Sequence, residues 1–263
     1  MSTSSRLWSL VALVAILAIA ALPSTTSANH SWGNYHWART SNPFTVKLGD
    51  NLSSNWKSYL GTASSDWSKS RVLDTTVVAG QSSSRCAATA GRVEVCNSTY
   101  GSNGWLGIAS VWTSGGHIVQ GTVKMNDTYY NTATYNTPAW RNLVMCQEVG
   151  HTFGLAHQDE NFTNPNLGTC MDYTNNPGTN QHPNSHDYQM LESIYSHVDG
   201  TTTVGSLPPE VANADLSTPE KWGKPIHTTD DGHGAVHERD FGNGYRIFTF
   251  VYYAEPRGHR DHH

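Results

Sequence analysis

Charge is scarce in this 263-residue chain: Lys, Arg, Asp and Glu make up 14% of it, with 16 basic residues against 21 acidic ones. No basic stripe occurs, which argues against a nucleic-acid function driven by phosphate contacts. Cysteine is limited to Cys86, Cys96, Cys146 and Cys170, with no CxxC spacing, so a thiolate metal site is disfavoured. Four cysteines allow three pairings, and Cys86 with Cys96 would close a short loop. The one unbroken apolar run, residues 10–22, is too short for a membrane span, which needs about 18 or more residues. What the chain has in quantity is Ser, Thr, Asn, Gly, Trp and Tyr, the composition of an extracellular globular protein.

That apolar run follows Arg6 and precedes the small residues Thr26, Ser27 and Ala28, so residues 1–28 read as a secretory signal peptide. Its removal leaves about 235 residues, enough for one sizeable core and an appendage. The secreted chain is expected to be a monomer with no membrane attachment and no nucleic-acid partner. Residues 29–43 form a short N-terminal segment whose His30 and His36 read as solvated. Residues 44–48 alternate as a strand, a helix with Trp56, Tyr59, Leu60, Ala63 and Trp67 on one face follows Ser53 or Ser54, and residues 73–79 make a second strand. Strand, helix, strand implies a crossover and a partly parallel sheet. Residues 92–96, 106–112 and 117–125 are further strands, with His117 structural or exposed at a strand start.

The stretch that carries chemistry is PAWRNLVMCQEVGHTFGLAH, residues 138–157, followed at 169–173 by TCMDY. Thr137 as N-cap and Pro138 at the first helical position start a helix that runs to about Phe153. Gln147 and His151 lie one turn apart on one face, a spacing at which two ligands grip one metal, and Glu148 projects beside them as a base for a metal-activated water. Gly154 permits the left-handed turn that brings His157 back as a third ligand.

These motifs resemble the metzincin metallopeptidases, and among them the matrixin-like single-domain secreted enzymes. The resemblance spans about residues 44–199 and is sharp only over 146–173. It implies an α+β fold with a twisted mixed sheet, an active-site helix and a C-terminal helix. It also implies catalytic Zn2+ held by Gln147, His151 and His157, Glu148 as general base, and Met171 in the turn beneath the metal. Tyr173 matches a tyrosine that in some members swings on and off zinc; an ordinary packed aromatic is the other reading. Gln147 is a departure, because the family has histidine there and an amide oxygen is a harder, weaker zinc donor. The resemblance pairs Cys146 with Cys170, tying helix to Met-turn, and so Cys86 with Cys96. No cysteine precedes Cys86, which excludes the latency segment of matrixin precursors. In the family an edge strand above the cleft pairs with extended substrate, which assigns peptide binding to Ile108, Ala109 and Ser110 in the strand 106–112, or to its neighbour; a Trp-rich core strand is the other reading.

Ser185 is expected to cap a helix over residues 186–197 that closes the domain. Residues 200–222, rich in Thr, Pro, Ala and Ser, read as a linker, and 223–263 as a His-rich extension with one strand at 245–253. Its histidines at 227, 233, 237, 259, 262 and 263 read as a hydrophilic end, with an accessory metal site as the second reading. The function expected is a secreted zinc-dependent endopeptidase acting on peptides or proteins. The alternative is a catalytically inactive, peptide-binding or protein-binding protein on the same scaffold.

Overall fold

The computed structural model describes residues 30–81, 85–202 and 207–254. The expected signal peptide and the histidines at 259, 262 and 263 lie outside them. In chain order the elements are strand β1 (His36–Trp37), β2 (Phe44–Asn51), helix α1 (Ser54–Trp67), β3 (Leu73–Ala79), β4 (Arg92–Ser98), β5 (Trp105–Ser114), β6 (His117–Asn126) and the short helix α2 (Asp127–Tyr130). Helices α3 (Pro138–His151), α4 (Ser185–Ile194) and α5 (Pro209–Ala212) follow, then β7 (Lys224–Thr228), β8 (Gly234–Asp240) and β9 (Tyr245–Tyr253).

The fold is α+β, built on one mixed sheet with strand order β3-β2-β4-β6-β5-β9-β8-β7 and β1 paired to β6 beside that path. Strands β3, β2, β4 and β6 run parallel to one another, and β5 reverses direction against β6. The parallel pair β2 and β3 is joined through α1, the crossover expected from the sequence. Trp56, Leu60, Ala63 and Trp67 recur at helical spacing and are buried against the sheet. Hiding each large side chain contributes roughly 2–3 kcal/mol. Trp67 also reaches across to α3, its indole N–H donating to the Cys146 carbonyl at 3.1 Å.

Helix α4 departs from expectation at both ends. Its cap is Asn184, not Ser185: the Asn184 side chain accepts from the His186 and Asp187 amides while the Asp187 carboxylate accepts from the Asn184 amide. The helix stops at Ile194, because Arg39 takes hold of the chain beyond it, donating to the His197 carbonyl and to Asp199.

The larger correction concerns β5, expected as the sheet edge that binds substrate. Strand β9 pairs along its whole length, setting Ile108 opposite Val251, Ala109 opposite Phe250 and Ser110 opposite Thr249, while β6 pairs on the other side. With both rows of backbone groups taken, Ile108, Ala109 and Ser110 cannot add a peptide strand. Residues 207–222 are likewise not a free linker. Val211, Leu216 and Trp222 form a second core with Trp105, Ile108, Trp112, Ile247 and Val251 on the face of the sheet away from α3. The Trp112 and Trp222 indoles donate to the Val211 and Leu216 carbonyls at 2.8 and 3.0 Å. Two of the extension's histidines have partners: His233 stacks on Phe162, and the exposed His227 meets Glu160 at 2.6 Å.

Two disulfides join Cys86 to Cys96 and Cys146 to Cys170. No helix among the described residues is long and apolar enough to cross a membrane.

Because β9 and the second core cover β5, a chain cut after Gly200 exposes Ile108, Trp112 and an unpaired strand edge. It is expected to emerge as aggregate, whereas the intact chain elutes as a monomer. A truncated chain that ran as a folded monomer in size-exclusion chromatography would show that the extension is a separate appendage.

Candidate metal centre on helix α3

Helix α3 begins as its sequence dictates. Thr137 is extended, its hydroxyl accepts from the Trp140 amide at 3.3 Å, and Pro138 occupies the first turn where no amide partner is needed. Two glycines let the helix approach its surroundings. A Cβ on Gly107 of β5 would fall 2.4 Å from Val144 and 2.9 Å from the Glu148 carboxyl. One on Gly150 would fall 2.7 Å from the Met171 sulfur. The helix is thus seated on β5 on one side and on the Met171 turn on the other, with Cys146–Cys170 locking the second contact.

After the helix, Gly154 takes φ +98° with the Tyr35 carbonyl 2.4 Å from where a Cβ would be. Only glycine fits there, and the turn returns His157 to His151, ring centroids 4.6 Å apart and nearly perpendicular. The N-terminal segment clamps this turn. The Trp32 amide donates to the Gly154 carbonyl at 3.1 Å, the Trp32 indole to the His151 carbonyl at 3.0 Å and the Trp37 indole to the Thr152 carbonyl at 2.9 Å. His30, expected in solvent, is buried with Nδ1 3.0 Å from the Ala156 carbonyl, and burial drives its pKa down to about 4.

The hydrogen bonds decide the tautomers. His151 Nδ1 lies 2.8 Å from the Leu155 carbonyl, which only accepts, so Nδ1 carries the proton and Nε2 keeps the lone pair. His157 Nδ1 lies 3.1 Å from Glu160. Burial pushes the Glu160 carboxyl up, but hydrogen bonds from His157 and His227 outweigh it and hold the pKa at about 2. An ionised carboxylate also only accepts, so His157 Nε2 is the bare nitrogen, and it has no partner among the described residues. Burial lowers the pKa of both imidazoles, which keeps them neutral as ligands must be. A carbonyl on one ring and a carboxylate on the other is the outer shell that orients metal-binding histidines.

Gln147 and Glu148 are buried on the same helix. Both polar atoms of the Gln147 side chain, and Glu148 Oε2, lack partners among the described residues. Burial raises the Glu148 carboxyl well above its ordinary range, with the Ala109 amide opposing it. An unmatched buried amide costs about 1–3 kcal/mol, so this cluster is expensive unless something binds there. Two imidazoles with unprotonated Nε2 atoms are a donor pair that zinc accepts, and the Gln147 amide oxygen is a harder, weaker donor on the same helix.

Met171 lies against Gly150. Tyr173 stands beside His157, ring centroids 4.1 Å apart, but it is packed between His157 and Phe162 with its hydroxyl against Gly234. The sequence reading missed Glu160, three residues after His157, and Phe250, which stacks on His151 with ring centroids 4.3 Å apart. The first is a common acidic residue in a turn, and the second lies in a strand whose partner only the fold reveals. A cleft of about 520 Å³ opens beside His157, walled by Trp32, Tyr35, Ile226, His227, Phe248 and Phe250. A separate depression of about 450 Å³ lies between residues 162–166 and 174–176. The first adjoins the histidines and is the one that bears on their chemistry.

No family model and no curated protein matches this sequence. Among solved structures, one of myroilysin is similar with TM-score 0.36 and 12% identity, covering 61% of this chain and 96% of that one. A second myroilysin structure gives TM-score 0.34 and 12% identity, covering 67% and 98%. Likeness at that level bears on neither mechanism nor substrate.

Replacing Gln147 by Leu removes the unmatched amide at nearly constant volume. In chelator-treated protein this is expected to raise unfolding stability by about 1–3 kcal/mol, read from urea titration. The same variant should show a smaller zinc-induced rise in Tm than the native chain. Equal zinc-induced shifts in both proteins would show that Gln147 is no ligand.

Proposed function

We propose that the protein is a secreted zinc-dependent endopeptidase of metzincin type, acting as a monomer on peptide or protein substrates. The observation that carries this reading is the pair of buried imidazoles whose Nδ1 protons are committed elsewhere, leaving both Nε2 atoms unprotonated, on the same helix and turn as the unpartnered Gln147 amide and Glu148 Oε2. Gln147, His151 and His157 would hold the ion. When bound, zinc supplies Lewis acidity that polarises a carbonyl and lowers the pKa of water.

The chain supplies the remainder. Glu148, wedged against Gly107 and fixed by the Ala109 amide, accepts the proton of the attacking water and returns it to the leaving amine. The cleft between the N-terminal segment and strands β7 to β9 would receive an extended peptide, with Ile226 and Phe248 for apolar side chains and Glu238 and Arg246 for charged ones. Phe250 and Trp32 exclude water from the imidazoles. Tyr173, as packed, acts by holding His157 in place rather than by stabilising an oxyanion. The disulfides support secretion, since such bonds persist in oxidising compartments.

Gln147 favours one other reading, a secreted peptide-binding protein that retains the cleft without catalysis. Zinc content and casein cleavage, measured on the same samples, separate the two. Glu148→Gln is expected to keep the native zinc stoichiometry and lose at least about 100-fold in cleavage rate. Undiminished cleavage by that variant would sink the general-base role. Native protein without zinc or cleavage, both restored by Gln147→His, would favour the binding protein.

A further inference from the structure

A second histidine cluster lies away from helix α3, where three remote parts of the chain meet. His36 comes from β1, His117 from the start of β6, and His197 with Asp199 from the segment after α4. All three imidazoles turn Nε2 toward one oxygen: Asp199 Oδ1 is 3.4 Å from His36, 3.2 Å from His117 and 3.6 Å from His197. His36 Nε2 and His197 Nε2 are 3.3 Å apart, and the His36 ring is nearly perpendicular to both others.

Two features mark this as more than a surface ion-pair network. His36 Nδ1 lies 2.9 Å from the Asn34 carbonyl, so the proton of a neutral ring sits on Nδ1. Its Nε2 lone pair then faces a carboxylate oxygen, which is repulsive unless a cation lies between them. The spacing also has a scale: a tetrahedral ion with bonds of about 2.0–2.2 Å holds its ligand atoms about 3.3–3.6 Å apart. Four of the six ligand-atom separations, from Asp199 Oδ1 to each ring and from His36 to His197, fall at that edge length. Asp199 is prepared for the role, because Arg39 donates to Oδ2 through its backbone amide and its guanidinium at 3.1 and 2.9 Å, which aims Oδ1 at the histidines. His36 and Asp199 are largely buried while His117 and His197 are half exposed, so an ion can enter from solvent.

We propose that His36, His117, His197 and Asp199 form a second metal site for a divalent transition-metal ion of the zinc type, independent of the helix α3 centre. His36, His117 and Asp199 are the set whose ligand atoms all lie within 4.8 Å of one another, and His197, half-exposed beside His36, would complete a closed, structural coordination sphere. The site fastens β1, and with it the Trp32 to Trp37 clamp on the Gly154 turn, to the end of the domain.

Metal-stripped full-length protein titrated with cobalt(II), by equilibrium dialysis and visible absorption, tests this. The doubly substituted His117→Ala/His197→Ala chain, altered only at half-exposed positions, is expected to bind one equivalent fewer than the native protein and to lose a four-coordinate cobalt band. Gln147→Leu should keep that equivalent and that band, which separates this site from the catalytic reading. The single variant His197→Gln should bind the same equivalent at least about tenfold more weakly. Native and doubly substituted chains that bind equal cobalt with superimposable spectra would overturn the proposal and leave the cluster as a protonated hydrogen-bond network.

Discussion

The contact on which the site depends is the seating of α3 against β5 at Gly107. With a side chain there, Val144 and Glu148 would be forced away, and the helix would stand off the sheet. With glycine, the Glu148 carboxyl is pressed into the sheet. The same seating explains why β5 had to be internal. A strand carrying a helix this closely is held flat by partners on both sides, β6 and β9, and those pairings remove the edge that an extended peptide would use.

Burial then sets the electrostatics. Gln147, Glu148 and His151 are all essentially inaccessible, and a low-dielectric surrounding penalises every charge among them. The chain answers by keeping the two ligand imidazoles neutral and by placing the compensating charge one shell out, at Glu160, where His227 and solvent share it. An amide at position 147 continues that logic, since it adds a donor oxygen without a charge or a proton. Its cost is a weaker hold on zinc than a third imidazole would give.

Much of this was legible in the sequence, and for local reasons. Thr137-Pro138 announces the helix, the spacing of 147, 148 and 151 places three side chains by helical period alone, and Gly154 marks the turn. Strands β2 to β6 show through period-two alternation and glycine turns. The C-terminal third was not legible, because its order comes from tertiary partners. YRIFTFVYY reads as a strand wherever it lies, and nothing in it names β5 as the neighbour. Residues 207–222 have a linker's composition, yet Val211, Leu216 and Trp222, spaced five and six apart, fill a core of their own. His36 looked solvated because a lone histidine before a Trp carries no signal until Asn34, Asp199 and His197 are brought around it.

The two histidine clusters follow one rule with opposite outcomes. In each, a ring proton is committed to a carbonyl or a carboxylate so that Nε2 is free, and in each the rings meet nearly at right angles. They differ in what completes the set. On α3, under the proposed zinc reading, two imidazoles and an amide oxygen would leave a fourth position open, the condition for chemistry on a substrate. At Asp199 a carboxylate oxygen aimed by Arg39 satisfies the fourth position and neutralises charge, the condition for holding an ion still. If both proposals hold, one fold would keep an open centre and a closed one without exchange of roles, because the difference lies in which acceptor each site can bring within reach.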